Sequence, residues 1–155
     1  VDLSTYRLKI AGLVQNSLEL SYQEVLAFSQ ESRVITMNCV EGWKYTALWT
    51  GVRIIDLLEK AQVKPEAKTV IFHAAGGEYK SALPLEFIRQ KKILLAYKIN
   101  NLTLPQDRGF PFMVIAEDKY GYKWVQWVEK IELSAKDFKG YWEMRGFSDQ
   151  ADIRK

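Results

Sequence analysis

The stretch MNCVEGW, Met37 to Trp43, holds the only cysteine of the 155-residue chain. A thiol acts as nucleophile or metal ligand through its thiolate, and in apolar surroundings it is inert packing. Composition alone favours the buried, inert thiol. Two features point the other way. Cys39 stands at the end of a β-rich segment, and Glu41-Gly42 behind it turns the chain and leaves backbone open to a ligand. A thiolate so placed can bind a soft or high-valent metal. Other chemistries narrow quickly. His73 is the only histidine, and with one cysteine that rules out a multi-histidine metal site, a zinc ribbon and an iron–sulfur cluster. A Cys39–His73 hydrolase would need the two to meet in space, which the sequence permits but does not suggest. His73 lies within the apolar segment TVIFHAA, where a hydrogen-bonded structural histidine is expected. Gly76-Gly77 does not match a phosphate loop or a dinucleotide fingerprint, and neither does any other glycine pattern. The triplet Asn101-Leu102-Thr103 matches a glycosylation acceptor, a pattern that arises by chance and carries no weight here.

The elements that must position Cys39 follow from pattern and turn chemistry. YRLKIAGLV alternates apolar and polar residues from Tyr6 to Ile10 and predicts a strand turning at Gly12. Ser21 with Glu24 forms a capping box for a short helix whose apolar face is Val25, Leu26 and Phe28. RVITMNCV is rich in β-formers and predicts a strand that delivers Cys39 at its end. WTGVRIIDLLEKA places Val52, Ile55 and Leu58 at helical spacing, so a second helix is expected from near Gly51. TVIFHAA predicts a strand ended by Gly76 and Gly77, and a third helix is expected around Pro84, carrying Phe87 and Ile88. Strands are then expected over ILLAYKIN and FMVIAE, with a turn at Asn100-Asn101. A second turn at Tyr120-Gly121 leads into a long strand over KWVQWVEKIEL. Strands outnumber helices and sit beside short turns, which predicts an α+β, mostly β domain with a few short helices outside it.

The chain is 48% hydrophobic and 13% aromatic, which suits one domain over residues 1–155 with a substantial core. The formal charge of +3 comes from 22 basic and 19 acidic residues spread along the length. The densest cluster, Arg89 to Lys92, is no nucleic-acid stripe, so no nucleic-acid partner is expected. The longest apolar runs, such as ILLAY from Ile93, fall far short of the roughly 20 residues of a membrane helix, so no membrane span is expected. One cysteine forms no internal disulfide, and the redox compartment stays open. Five tryptophans, with tyrosines interspersed among them, mostly pack, keeping polar edges at a wet rim.

Taken in order, YRLKIAGLV, LSYQEV, CVEGW with LWTGVRIIDLL, GGEYKSALPLEFI, LLAYKINNLTLPQDRGFP, YGYKWVQWVEKIEL and GYWEMRGF resemble the molybdopterin-binding domain of the sulfite oxidase family. The resemblance runs through nearly the whole chain. It implies a mixed, mostly β, barrel-like domain in which Cys39 coordinates the molybdenum of a molybdenum-pyranopterin cofactor, in a two-electron oxygen-atom transfer on a small-molecule substrate. By position, Tyr79 is the tyrosine presented toward the metal, where it can hydrogen-bond an oxygen of substrate. Glu41 and Gly42 belong to the cysteine loop. Arg108 and Gly109 in RGFP, and Gly121 and Lys123 in YGYK, are similar to the turns that hold the pterin and its phosphate, with Arg108 and Lys123 as its cations. The resemblance also implies a redox partner protein and an extracytoplasmic location, periplasmic or at the cell surface.

This chain departs from the family at the phosphate end. Met113 stands where an arginine is common, Gln126 replaces a lysine, and Trp124 replaces a small residue. Each lost charge-assisted contact removes about 1.5–3 kcal/mol. A second expectation follows: a cofactor-free descendant of the fold that binds a small molecule or a partner protein through the same pocket.

Overall fold

The computed structural model describes residues 1–153. The elements in chain order are β1 (Leu8–Gly12), β2 (Leu18–Leu20), α1 (Tyr22–Leu26), β3 (Gln30–Asn38), β4 (Lys44–Arg53), α2 (Ile54–Ala61), β5 (Thr69–Ala74), β6 (Lys80–Pro84), α3 (Leu85–Lys91), β7 (Leu94–Ile99), β8 (Leu102–Thr103), β9 (Met113–Ile115) and β10 (Val128–Ser134). Single 3-10 turns cover Gln106–Arg108, Gly121–Lys123 and Glu143–Arg145. The fold is mostly β with a few short helices, as the sequence pattern predicts.

Local chemistry explains several boundaries. Ser21 caps α1 through a complete capping box, its hydroxyl accepting from the Glu24 N–H while the Glu24 carboxylate accepts from the Ser21 N–H, so two orphan donors of the first turn are satisfied. Pro84 serves as N-cap of α3 with φ −61°, the value its ring imposes. α2 begins at Ile54, later than its apolar spacing predicts, because β4 stays paired with β3 from Asn38↔Lys44 to Gln30↔Val52. Gly51 also brings β4 so close to β7 that an added Cβ would lie 2.0 Å from the Leu95 carbonyl oxygen. The buried face of α2 is therefore Ile54, Leu57, Leu58 and Ala61; Leu58 is on it as the spacing predicts, whereas Ile55 is only half-buried and Val52 belongs to β4.

The expected strand over KWVQWVEKIEL is also corrected. Lys123 closes the Gly121–Lys123 turn, Trp124 to Trp127 are irregular, and β10 starts at Val128. Trp127 has φ +52°, its N–H reaches the Gly109 carbonyl at 3.3 Å, and the Trp124 N–H closes on the Gly121 carbonyl at 2.9 Å. These bonds take the backbone out of a ladder before β10 begins.

Two five-stranded sheets result. One runs β2-β1-β10-β5-β6, and the other runs β3-β4-β7-β8 with β9 also on β7. β1 and β10 pair in parallel, while the remaining strand pairs are antiparallel. The core is continuous between them and includes Leu8, Ile10, Trp49, Phe72, Phe112, Val114, Trp124 and Ile131. Its consequence for function is positional: the β3–β4 hairpin loop, the Gly121–Lys123 turn and the end of β5 all meet at one end of the molecule.

Candidate functional site

β3 ends at Asn38, so Cys39 is the first residue of the loop leading to β4. Two backbone bonds close that loop: the Cys39 N–H donates to the Trp43 carbonyl and the Gly42 N–H donates to the Cys39 carbonyl, both at 2.9 Å. Gly42 takes φ +100°, a conformation that costs a glycine nothing and an L side chain a good deal. A parallel bridge between Asn38 and Tyr120 then sets the loop beside Gly121.

Cys39, Glu41, Tyr79 and Gly121 line one cavity of about 540 Å³. Its other walls come from Met37, Val40, Trp43, Tyr122, Trp124, Gln126, Trp127, Trp142 and Phe147, with Ala74 at the end of β5. Half of the lining is aromatic. Tryptophan abundance signals an aromatic surface in the sequence. No pattern marked Trp142 and Phe147 as part of it, because they follow the last strand and reach the cavity only through tertiary folding.

Tyr79 is half-buried and its hydroxyl donates to the Tyr122 carbonyl at 2.5 Å. Burial pushes its phenol far above the ordinary tyrosine range, with the Glu143 charge adding to it. Burial likewise raises the Tyr122 phenol to about 12. Both phenols are therefore neutral at physiological pH and can give a hydrogen bond without carrying charge.

The two cations stand elsewhere. Arg108 is exposed, 6.0 Å from the Tyr45 ring, and Tyr45 stacks on Trp43 of the cavity wall. The Gln126 amide reaches back to the Arg108 carbonyl at 3.4 Å. Lys123 does not line the cavity. Its ammonium is buried, bonded to Glu143 Oε2 at 2.6 Å and to the Ala82 carbonyl at 2.9 Å. Burial lowers its pKa, and Glu143 opposes the shift. Ser81 donates to the same Glu143 oxygen at 2.7 Å. Gly109 has φ +114°, and an added Cβ would meet Met113 and Gln126 side chains at 3.2 and 3.3 Å, so its backbone conformation and the tight packing together account for glycine there. Met113 is 1% exposed on β9 and belongs to the core, not to the cavity surface.

His73 bonds to Glu132 Oε1 at 2.8 Å on the face of the other sheet and does not approach Cys39's cavity. Among the described residues no group of three or more His, Cys, Asp and Glu side chains could hold a metal. No helix among them is long and apolar enough to cross a membrane.

The fold is shared with larger oxidoreductases. It superposes on the sulfane dehydrogenase SoxCD of Paracoccus pantotrophus with a TM-score of 0.82 and 24% identity, over 88% of this chain and 40% of that one, which defines a sulfite oxidase-type architecture. The chain belongs to the oxidoreductase molybdopterin binding domain family, whose model matches residues 1–142. It is 34% identical to an uncharacterized oxidoreductase of Bacillus subtilis over 97% of this chain and 76% of that protein. Identity is 30% to a putative protein-methionine-sulfoxide reductase subunit of Azospira oryzae, and 28% to the mitochondrial sulfite oxidase of Rattus norvegicus. The chain spans 56% and 34% of the lengths of those two.

Proposed function

We propose that this chain is a compact domain that holds a molybdenum-pyranopterin cofactor and carries out oxygen-atom transfer on a small-molecule substrate, with Cys39 as the metal ligand. The observation that carries the reading is the placement of the lone thiol in a backbone-closed hairpin loop at the wall of a cavity of about 540 Å³. The donor set fits the metal end of such a group. One protein thiolate, with no cluster of other ligands among the described residues, suits a metal whose remaining ligands arrive with the cofactor. At the phosphate end the available cation is Arg108, beside the aromatic wall.

When bound, the cofactor supplies two-electron oxygen-atom transfer, and the chain supplies position and exclusion of water. The closed loop fixes the thiol. Tyr79, a neutral phenol at the cavity wall, is placed to give a hydrogen bond to a substrate oxygen in exchange for its bond to the Tyr122 carbonyl. Glu41, Gly42 and Gly121 shape the turn backbone around that point. A redox partner protein and an extracytoplasmic setting complete the reading, on family resemblance.

Metal analysis tests it. Protein purified from a host able to make the pterin should carry molybdenum or tungsten near one equivalent, and Cys39→Ser should abolish it. A content near zero that Cys39→Ser leaves unchanged would sink the reading.

A second reading, a cofactor-free binding module, is favoured by one specific observation: the cavity lining includes an acid, Glu41, and no base. The two readings separate on Gln126→Lys, which puts a cation into the cavity wall. Greater pterin retention supports the cofactor site, and unchanged metal content near zero supports the binding module.

A further inference from the structure

A strand at the edge of a sheet offers unpaired N–H and C=O groups to any other strand. Most edges of this molecule are short or covered. β2 has three residues and β8 two. β6 is met by the chain after β10, where the Tyr141 N–H donates to the Lys80 carbonyl at 2.9 Å. β3 is different. It runs nine residues at the end of its sheet and pairs with β4 without a register shift. From Val34 to Asn38 it holds no proline, bulge or charge, the devices that blunt an edge, and Val34 is 69% exposed. Among the described residues, no backbone group from Val34 to Met37 bonds to backbone outside the β3–β4 ladder.

That edge faces a second wall. After β9 the chain turns back beside β3, and Glu117, Asp118 and Asp152 stand across a groove of about 420 Å³ from Val34, Ile35 and Thr36. The walls are tied at both ends. Arg33 donates to Glu117 Oε1 at 3.1 Å, and Asn38 is bridged in parallel to Tyr120. The slot between the ties has the length of roughly five residues of strand, about 17 Å. Its lining holds three carboxylates and no base. Each gives one oxygen to a cation, Glu117 to Arg33, Asp118 to Lys91 and Asp152 to Lys119. The second oxygen of each has no partner among the described residues. A second copy of β3 would bring the same three carboxylates with it, so like charges oppose pairing between copies.

We infer that this slot takes an extended segment of a partner protein as an added strand beside β3, a segment with basic side chains at alternate positions. Main-chain bonds to the free edge supply the register, and the basic side chains meet the unpartnered carboxylate oxygens. The inference does not depend on the molybdenum-cofactor reading.

Titration of the isotope-labelled full chain with a capped pentapeptide of alternating valine and lysine, followed by amide NMR, tests it. The amides of Val34, Ile35 and Thr36 should shift with a dissociation constant near or below about 1 mM. Salt at about 0.5 M should weaken binding about fivefold or more. The same peptide N-methylated along one edge keeps its charge but loses its donors, and should not bind. A valine–glutamate peptide should not bind either. Asp118→Lys, at an exposed position, should weaken binding about fivefold with an unchanged melting temperature. Equal binding of the N-methylated or the acidic peptide, shifts confined to other residues, or no shift at several times that concentration would overturn the inference. So would a dimer seen by sedimentation that shifts the same amides without peptide, because β3 would then pair with a second copy.

Discussion

The most deeply buried ion pair near the site is Lys123–Glu143, at 2.6 Å with side chains 2% and 0% exposed. Glu143 Oε1 is buried without a partner, so the pair is already only partly satisfied. Removing one member leaves a buried charge with none, which costs about 3–5 kcal/mol, whereas an apolar replacement of both is often neutral. Glu143→Ala should therefore lower stability by that amount in urea melts, and Lys123→Met with Glu143→Leu should recover most of it. The residues the resemblance assigns to phosphate divide in the same terms. Met113→Arg would drive a guanidinium into the core beside β7, with a loss of several kcal/mol. Gln126→Lys, at a half-exposed wall position, should fold normally. Thermal melts of the two single variants check this, and equal losses would count against the placement of Met113. Sequence reading brought Cys39, Glu41, Tyr79 and Gly121 to one cavity but also counted Lys123 as a free cation. The sequence does not show that Glu143, downstream of the last strand, claims its charge.

At the scale of elements, boundaries written in local chemistry were legible and those set by partners were not. The Ser21–Glu24 box was readable because both hydrogen bonds lie within one turn. Ser21→Ala should cost about 1 kcal/mol, measurable as a drop in the urea midpoint with an unchanged slope. The strand ending at Cys39 was legible from its β-formers. β4 was not, because the helical spacing of Val52, Ile55 and Leu58 carries back into its last residues, and only pairing with β3 and β7 decides between strand and helix there. β6 was overlooked for a similar reason: Lys80–Pro84 is short, and its partner β5 alone makes it a strand. Gly51→Ala tests that dependence. A Cβ 2.0 Å from the Leu95 carbonyl oxygen must push β4 off β7, so a loss of about 1–3 kcal/mol or more is expected. A tolerated substitution would show that the two strands need not approach so closely.

The whole molecule is closed by the sheet β2-β1-β10-β5-β6, in which the first strand pairs with the last. Lys9, Lys130 and His73 occupy successive strands in one row of that sheet, with Lys80 next to His73 on β6. His73 is the group in that row that titrates near neutrality. Its imidazole is mostly buried, and burial lowers its pKa from the ordinary 6.5, with Lys130 and Lys80 pushing the same way and Glu132 pushing against. The sign follows directly. Below about pH 6.5 the unfolded chain takes up a proton that the folded chain refuses until lower pH, so the unfolded state binds more protons and stability falls as pH falls. The contribution is fully present above 6.5 and is lost as pH drops through the folded value. Asp2 and Glu24 also shift, but downward from carboxylate values through hydrogen bonds with Ser4 and Ser21, so their losses come in a more acidic window. The melting temperature should therefore decline between about pH 7.5 and 5.5. His73→Gln, which keeps a donor for Glu132 and cannot titrate, should flatten that decline. Equal slopes for parent and variant would show that the strand row linking β1, β10, β5 and β6 carries no proton-linked contribution from His73.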